Sequence, residues 1–483
     1  MTPPDAALIV RAASLYLPVS VACGLGVTRA RRAADRRLAA AVVAGLVWQL
    51  VALLAVNQVA VAQGWWQFRT AGGAVAGMPV DLWLGWTVLW GAVPVLLSAD
   101  RLAVVAVGLV AGDFIVMPRL GAVIDLAPRW ILGELLAVAV ALLPGTVLAW
   151  LTVHGVRPAW RATLQLLAFA GVTGYLVPSL AFAVVGGDWH RLVTRPRWQL
   201  VVAAVIVAPV ASMAVQAVME FAAHGGTPLP LDPPSTLVTT GPYAYVANPM
   251  QLGGTVLLAA WGLVLEQPGV IAATVVAALF SAGYAAWSEH TELSARFGED
   301  WGRYRTGVRL WVPRWRPYVG QPAVVYAGTS CDPCSEVGRF LTRRHRRRLD
   351  VLAAETSGRP MVRITYVRGV EQATGVAAVG RALEHVHLGW AALSWVARVP
   401  GVEAALQVVA DVAGAGPLAA PIGGRAAPEP PGGAAVPGLR GSSVPARPAE
   451  RCRTGRTGRS GRGVRSRRRR GTRGAGRPAC DWW

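Results

Sequence analysis

The chain contains no lysine; all 47 of its basic side chains are arginine. That bias reflects GC-rich coding as much as any demand for guanidinium chemistry. Charge of either sign is scarce, since 15% of the 483 residues are charged against 54% hydrophobic, and the mean hydropathy is +0.42. Such a composition excludes an ordinary water-soluble domain and requires a lipid solvent. Cysteine is sparse as well. Of Cys23, Cys331, Cys334, Cys452 and Cys480, only Cys331 and Cys334 lie close in sequence, which excludes a disulfide-stapled scaffold. Two thiols cannot complete a structural zinc site, which takes four ligands, and no metal is expected. The first apolar run is long, is interrupted by Arg11 and leads to no small-residue cleavage site, so a removable signal peptide is not expected.

What the sequence has in abundance is apolar runs of about 17 to 25 residues, the length at which a self-paired helix crosses the hydrocarbon core. About nine are read by that criterion, near 6–27, 38–62, 81–98, 102–124, 130–152, 162–186, 198–222, 252–267 and 269–287. Gln267 and Pro268 alone separate the last two, which therefore form a tight hairpin whose arms need not each span fully. Arg29, Arg31, Arg32, Arg36 and Arg37 follow the first run, and the positive-inside rule places them in the cytoplasm, with the N-terminus outside. Alternate counting puts the 154–161 loop and the segment from about His224 on the same side. The loop Trp189–Trp198 opposes this count, because it carries Arg191, Arg195 and Arg197 yet faces outward. The expectation is a multi-pass protein of the cell (inner) membrane. Asp113 and Glu134 fall inside apolar runs, where a carboxylate is functional by default or pairs with nearby Arg119 or Arg129.

The chain divides into four parts: an N-terminal membrane bundle at 1–160 with no identifiable chemistry, a second membrane block at 161–320, a small segment at 321–415, and a tail at 416–483. The net charge of +21 sits mostly in that tail, where fifteen Arg oppose three acids for a net of +12. Its Gly, Pro, Ala and Arg cannot build a core, and disorder is expected. Arg467 to Arg470 has no interleaved aromatics, so no specific nucleic acid partner is expected. The tail reads as a solvated extension or as a polybasic strip on the lipid bilayer.

The informative motifs lie in the second block. A Pro-rich loop from Gly225 to Pro234 leads into Gly241-Pro242-Tyr243, then Tyr245, Asn248, Pro249, Gln251 and Gly253. Gly-Pro marks a turn, and Asn248-Pro249 suits a helix start, with Asn as cap and Pro in the first turn. Such an end favours a negatively charged ligand group. Past the hairpin come Glu289-His290-Thr291-Glu292-Leu293, Phe297-Gly298 and Trp301 to Tyr304. Arg303, Arg305, Arg309 and Arg314 read as interfacial snorkelling residues.

In order and spacing these two stretches resemble the isoprenylcysteine carboxyl methyltransferase and phospholipid methyltransferase family over about 200–318. The family pattern is Gly-Pro-Tyr-x-x-Val-Arg-His-Pro-x-Tyr-x-Gly, a hairpin, Glu-Glu-x-x-Leu and Phe-Gly-x-x-Tyr-x-x-Tyr. Its Arg-His pair is Ala247-Asn248 here, its next Tyr is Gln251 and its second Glu is His290. The resemblance implies an S-adenosylmethionine-dependent methyltransferase acting on a membrane lipid or prenylated acceptor at the cytoplasmic face. Tyr243, Tyr245, Asn248, Pro249, Gln251, Gly253 and Glu289 are the implied cofactor-binding residues. A carboxylate suits the cofactor's ammonium, aromatic faces suit its sulfonium and adenine, and a helix N-terminus suits its carboxylate. His290 is a candidate base for an amine acceptor, whereas a carboxylate acceptor needs none. Loss of Arg at 247 removes a bidentate partner for such a carboxylate.

Segment 321–415 opens with a buried strand at Ala323-Val324-Val325-Tyr326, and Cys331-Asp332-Pro333-Cys334 leads into a helix from about Ser335. A Cys-x-x-Cys at a strand-to-helix turn is a redox arrangement, because the helix N-terminus stabilises the thiolate. Cys331 is the expected attacking thiol, Cys334 the resolving one, and a thiol protein the expected partner. The segment resembles the DCC thiol-disulfide oxidoreductases, which implies a thioredoxin-like fold. His385 and His387 read as packing or surface residues. The fold class expected is thus an all-α polytopic membrane bundle of about nine helices with a small α/β thioredoxin-like domain and a disordered tail. Against the enzyme stands a second reading, a non-catalytic membrane anchor that presents the redox domain to a partner.

Overall fold

The computed structural model describes residues 3–30, 35–69, 72–229, 231–329, 332–359 and 361–417. Cys331, Cys452, Cys480 and the tail from residue 418 lie outside the described residues. The Ala-, Val- and Leu-rich runs fold as helices, in which each backbone N–H finds its acceptor within the run, as hydrocarbon demands. Eight helices among the described residues are long and apolar enough to cross a membrane: α1 (Ala6–Ala30), α2 (Arg36–Ala62), α3 (Val80–Leu97), α4 (Ala99–Arg119), α5 (Trp130–His154), α6 (Pro158–Val185), α7 (Arg197–Ala223) and, after the shorter α8 (Pro249–Val264), α9 (Pro268–Gly307). At 16 residues, α8 is about 24 Å long, short of the ~30 Å hydrocarbon layer. Helix α9 runs well past the apolar limit near 287. After a π turn at Ser281–Ala285 it continues as a polar stretch to Gly307 that breaks at Gly298, whose φ is +50°.

Ion pairs and carbonyl contacts hold the two ends of the bundle. At one end Arg29 donates to the carbonyls of Leu96 and Leu97 at 3.2 and 2.9 Å, and buried Arg161 meets Asp232 at 2.6 Å. At the other, β1 (Trp66–Phe68) pairs antiparallel with β4 (Ile124–Leu126), beside the hairpin of β2 (Ala74–Val75) and β3 (Met78–Pro79). There Arg191 donates to the carbonyls of Leu265 and Glu266, and Arg195 meets Glu266 at 2.6 Å. These arginines of the 189–198 loop therefore close the end of α8, a local reason for positive charge where the loop-charge count expects little.

Small residues set the closest helix crossings. A Cβ on Gly45 of α2 would lie 2.5 Å from the Gly91 carbonyl oxygen of α3, and one on Gly85 would collide with the Ser14 carbonyl of α1. Backbones approach this closely only where side chains are absent.

The C-terminal segment folds as a four-stranded sheet in the order β6-β5-β7-β8, made of β5 (Ala323–Ala327), β6 (Leu349–Ala353), β7 (Thr365–Arg368) and β8 (Glu371–Thr374). The pair β5/β6 is parallel, and β5/β7 and β7/β8 are antiparallel. Helix α10 (Asp332–Thr342) crosses from β5 to β6, α11 (Gly375–Leu383) follows β8, and α12 (Leu388–Ala397) and α13 (Val402–Ala410) come next. Helix α10 starts three residues before the expected Ser335, which puts buried Cys334 in its first turn. Val325, Leu341, Tyr366, Ala378 and Ala382 form the core. The segment is docked rather than tethered: Ala391 and Trp395 of α12 pack on Met213 of α7 and on Tyr245.

Buried His385 donates from Nδ1 to the Arg347 carbonyl at 2.8 Å and accepts at Nε2 from the Tyr366 hydroxyl at 2.9 Å. Burial pushes its pKa from 6.5 down to about 4.

Two outcomes are expected. Gly91→Val should force α2 from α3 at a cost of about 1–3 kcal/mol, read as a lower melting temperature in detergent; an unchanged midpoint would contradict the crossing. His385 stays neutral when folded while the unfolded chain takes up a proton below about pH 6.5. The C-terminal domain should therefore keep full stability above pH 6.5 and lose on the order of 3 kcal/mol by pH 4. Limited proteolysis of the full chain between pH 7 and 4 should show this loss, and His385→Asn should flatten it.

Candidate active site

The two motif-bearing stretches converge at the end of the bundle where α7 stops and α8 begins. Gly241 has φ +59°, and a Cβ there would lie 2.8 Å from the Glu220 side chain; only glycine fits both the conformation and the space. The turn Gly241–Ala244 is buried throughout. The irregular 244–248 segment is closed by the chain that follows α9. Ala247 and Asn248 N–H groups donate to the carbonyls of Arg309 and Leu310, and those of Arg314 and Tyr318 donate back to Tyr245 and Ala244.

From this turn Asn248 takes the cap position of α8 with Pro249 next, as the sequence suggests, but its side chain makes no capping bond. It donates to Gln251 Oε1 at 3.3 Å, and Gln251 Nε2 donates to Glu289 Oε1 at 2.8 Å. A polar chain Asn248–Gln251–Glu289 thus joins the start of α8 to the polar stretch of α9, 38 residues later. Below it the Tyr304 hydroxyl donates to the Tyr243 carbonyl at 2.8 Å, and Ala247, Trp301, Tyr304 and Val308 form an apolar floor.

The break at Gly298 makes this floor possible. Trp301 donates from Nε1 to His290 Nδ1 at 3.1 Å across 11 residues, about 16 Å along a straight helix. With Nδ1 so engaged, the neutral ring carries its proton on Nε2.

The Tyr243 ring stacks on Phe221 at 5.2 Å. Its hydroxyl is buried and has no hydrogen-bond partner among the described residues. Burial, reinforced by Tyr304, Glu289 and Glu220, raises its pKa well above the ordinary phenol value, so it remains a donor.

Not every expected residue joins the cluster. Tyr245 is fully buried on the other side of the turn, where its ring meets Trp395 edge-on at 5.6 Å and its hydroxyl donates to the Glu384 carbonyl at 2.8 Å. Tyr245 is thus part of the joint with the C-terminal domain, because that domain supplies the acceptor its hydroxyl needs. Gly253 serves packing, since a Cβ there would press on Ala214 of α7 at 2.9 Å. Cys331 lies outside the described residues.

The sequence reading missed Glu220, which is 3% exposed at the end of α7. Thr240 donates to it at 2.7 Å, and Arg381 of α11 pairs with it, with Glu371 at 2.8 Å and with Glu384 at 3.4 Å. Burial disfavours the Arg381 charge, but these three carboxylates outweigh it and raise its pKa. Arg398 and Trp395 also reach Glu384, at 2.8 and 3.0 Å. An acid at the end of an apolar run is the signal that marks Glu220.

No curated protein and no solved structure matches the chain. A family model does match part of it. Residues 198–300, from the start of α7 through Asn248, Gln251 and Glu289, match the phospholipid methyltransferase family, so this part of a multi-pass membrane chain carries a methyltransferase domain.

Proposed function

We propose that the chain is an S-adenosylmethionine-dependent methyltransferase acting on a lipid- or isoprenoid-like acceptor at the cytoplasmic face of the inner membrane. The observation that carries this reading is the Asn248–Gln251–Glu289 chain, which brings the two halves of the matched domain into one polar cluster. The residues present fit the cofactor. Glu289 is a counter-charge for its ammonium, Asn248 and Gln251 offer amide donors near the uncapped start of α8, and the unpartnered Tyr243 hydroxyl is a buried donor that a ligand oxygen would satisfy. When bound, the cofactor supplies an electrophilic methyl group for in-line displacement.

What the protein contributes is placement. Gln251 orients Glu289, the Gly298 break brings Trp301 and Tyr304 beneath the turn, and the 309–318 segment excludes water from behind. His290 is exposed and its Nδ1 is occupied by Trp301, so the arrangement favours an acceptor that arrives already nucleophilic. Ala247 leaves no guanidinium for a carboxylate acceptor.

The domain at 321–415 is read as thioredoxin-like and competent in thiol exchange with a protein partner. Its strand order, one parallel and two antiparallel pairings, and Cys334 in the first turn after β5 support this.

Labelled-methyl transfer by the full chain into a total lipid and protein extract is expected to label a membrane-extractable product; no transfer to any fraction would refute the enzyme. Glu289→Gln should weaken cofactor binding about ten-fold, the equivalent of ~1.4 kcal/mol, with Asn248→Ala weaker in effect. Cys334→Ser should leave that binding unchanged. Titration in detergent checks all three.

A further inference from the structure

The N-terminal bundle holds a second polar centre, far along the chain from the matched domain. Asp113 of α4 and Glu134 of α5 stand next to each other, with Trp86 beside Asp113, and all three line one cavity. The expected pairing with Arg119 or Arg129 does not form: Arg119 is turned onto the Ile115 carbonyl, and no arginine lines the site. Both carboxyl groups face a cavity of about 40 Å³ walled by Asn57, Trp66, Trp86 and Trp90.

Two polar atoms at this cavity are unanswered. Glu134 is 2% exposed and its Oε1 has no hydrogen-bond partner among the described residues; Trp90 is 4% exposed and its Nε1 likewise has none. Asn57 and Trp66 on the same wall are satisfied, since Asn57 donates to the Ala76 carbonyl at 2.8 Å and accepts from Trp66 at 3.0 Å. One donor and one acceptor thus remain open across a space that holds one to about three waters.

Charge balance narrows the occupant further. Two carboxyl groups share one buried cavity without a cation only if one of them carries a proton, which it can donate to the other. Asp81 pairs with Arg11 and Asp125 with Arg69, and no arginine lines the cavity, so no lining side chain neutralises a doubly ionised pair. A metal cation is disfavoured because Trp90, whose buried N–H is an unanswered donor, lines the same space. We infer that Asp113, Glu134 and Trp90 form an intramembrane proton-binding site in which the carboxyl pair shares a proton and water bridges Glu134 Oε1 to Trp90 Nε1. The first domain is then a proton-holding module in its own right, and the inference stands independently of methyl transfer.

Infrared difference spectra of the full chain in lipid nanodiscs test it, recorded from pH 5.5 to 9 in H₂O and D₂O. A protonated-carboxyl band that persists at pH 8 and shifts down in D₂O is expected. Glu134→Gln or Asp113→Asn should abolish it. Trp90→Phe, which removes only the donor, should shift the band and keep it. Absence of the band at pH 8 in the unmodified protein, its indifference to both carboxyl variants, or an unchanged frequency in Trp90→Phe would each overturn the inference. The first of these needs no variant to fold.

Discussion

Irregular backbone at the edge of a membrane survives only if something other than lipid pairs its amides, and that constraint shapes the site. The described residues between Gly225 and Asn248 form no α-helix and no strand, so the N–H and C=O groups that their local turns leave open need partners from elsewhere in the chain. The 309–318 segment provides four of them, to residues 244, 245, 247 and 248. For that segment to return beneath the turn, α9 must break, and it does so at the one glycine of its Phe-Gly pair. Tyr304 then reaches the Tyr243 carbonyl, and Gln251 meets Glu289. The polar cluster is therefore a consequence of satisfying backbone as much as of placing side chains.

A buried ion network secures the same turn from the other direction. Glu220 lies under Gly241, and Arg381 of the C-terminal domain holds it together with Glu371 and Glu384. A buried charge left without its partner is costly, so α7 and α11 are committed to one another. With Tyr245 and Trp395 in the same joint, the C-terminal domain is a structural wall of the methyltransferase block.

The sequence made the membrane helices plain because hydrocarbon imposes one solution on long apolar runs, and it placed Asn248, Gln251 and Glu289 through order and spacing. What it hid depends on tertiary proximity. Tyr245 has the same side chain as Tyr243, and only the position of Glu384, 139 residues away, assigns it to the joint. The Asp113–Glu134 pair was visible as two isolated acids, but nearby arginines in sequence suggested the wrong partners; helix packing decided the matter. The extension of α9 past residue 287 was obscured because polar side chains hide a helix from a reading based on hydropathy.

The joint between Glu220 and Arg381 also bears on how the molecule is made. Glu220, near the end of α7, leaves the ribosome 161 residues before Arg381 does, so for that interval its carboxylate has no covering wall. The part that matches the family is thus walled from the distal end of the chain, and a chain truncated anywhere ahead of α11 would lack the arginine that covers Glu220 beneath the Gly241 turn.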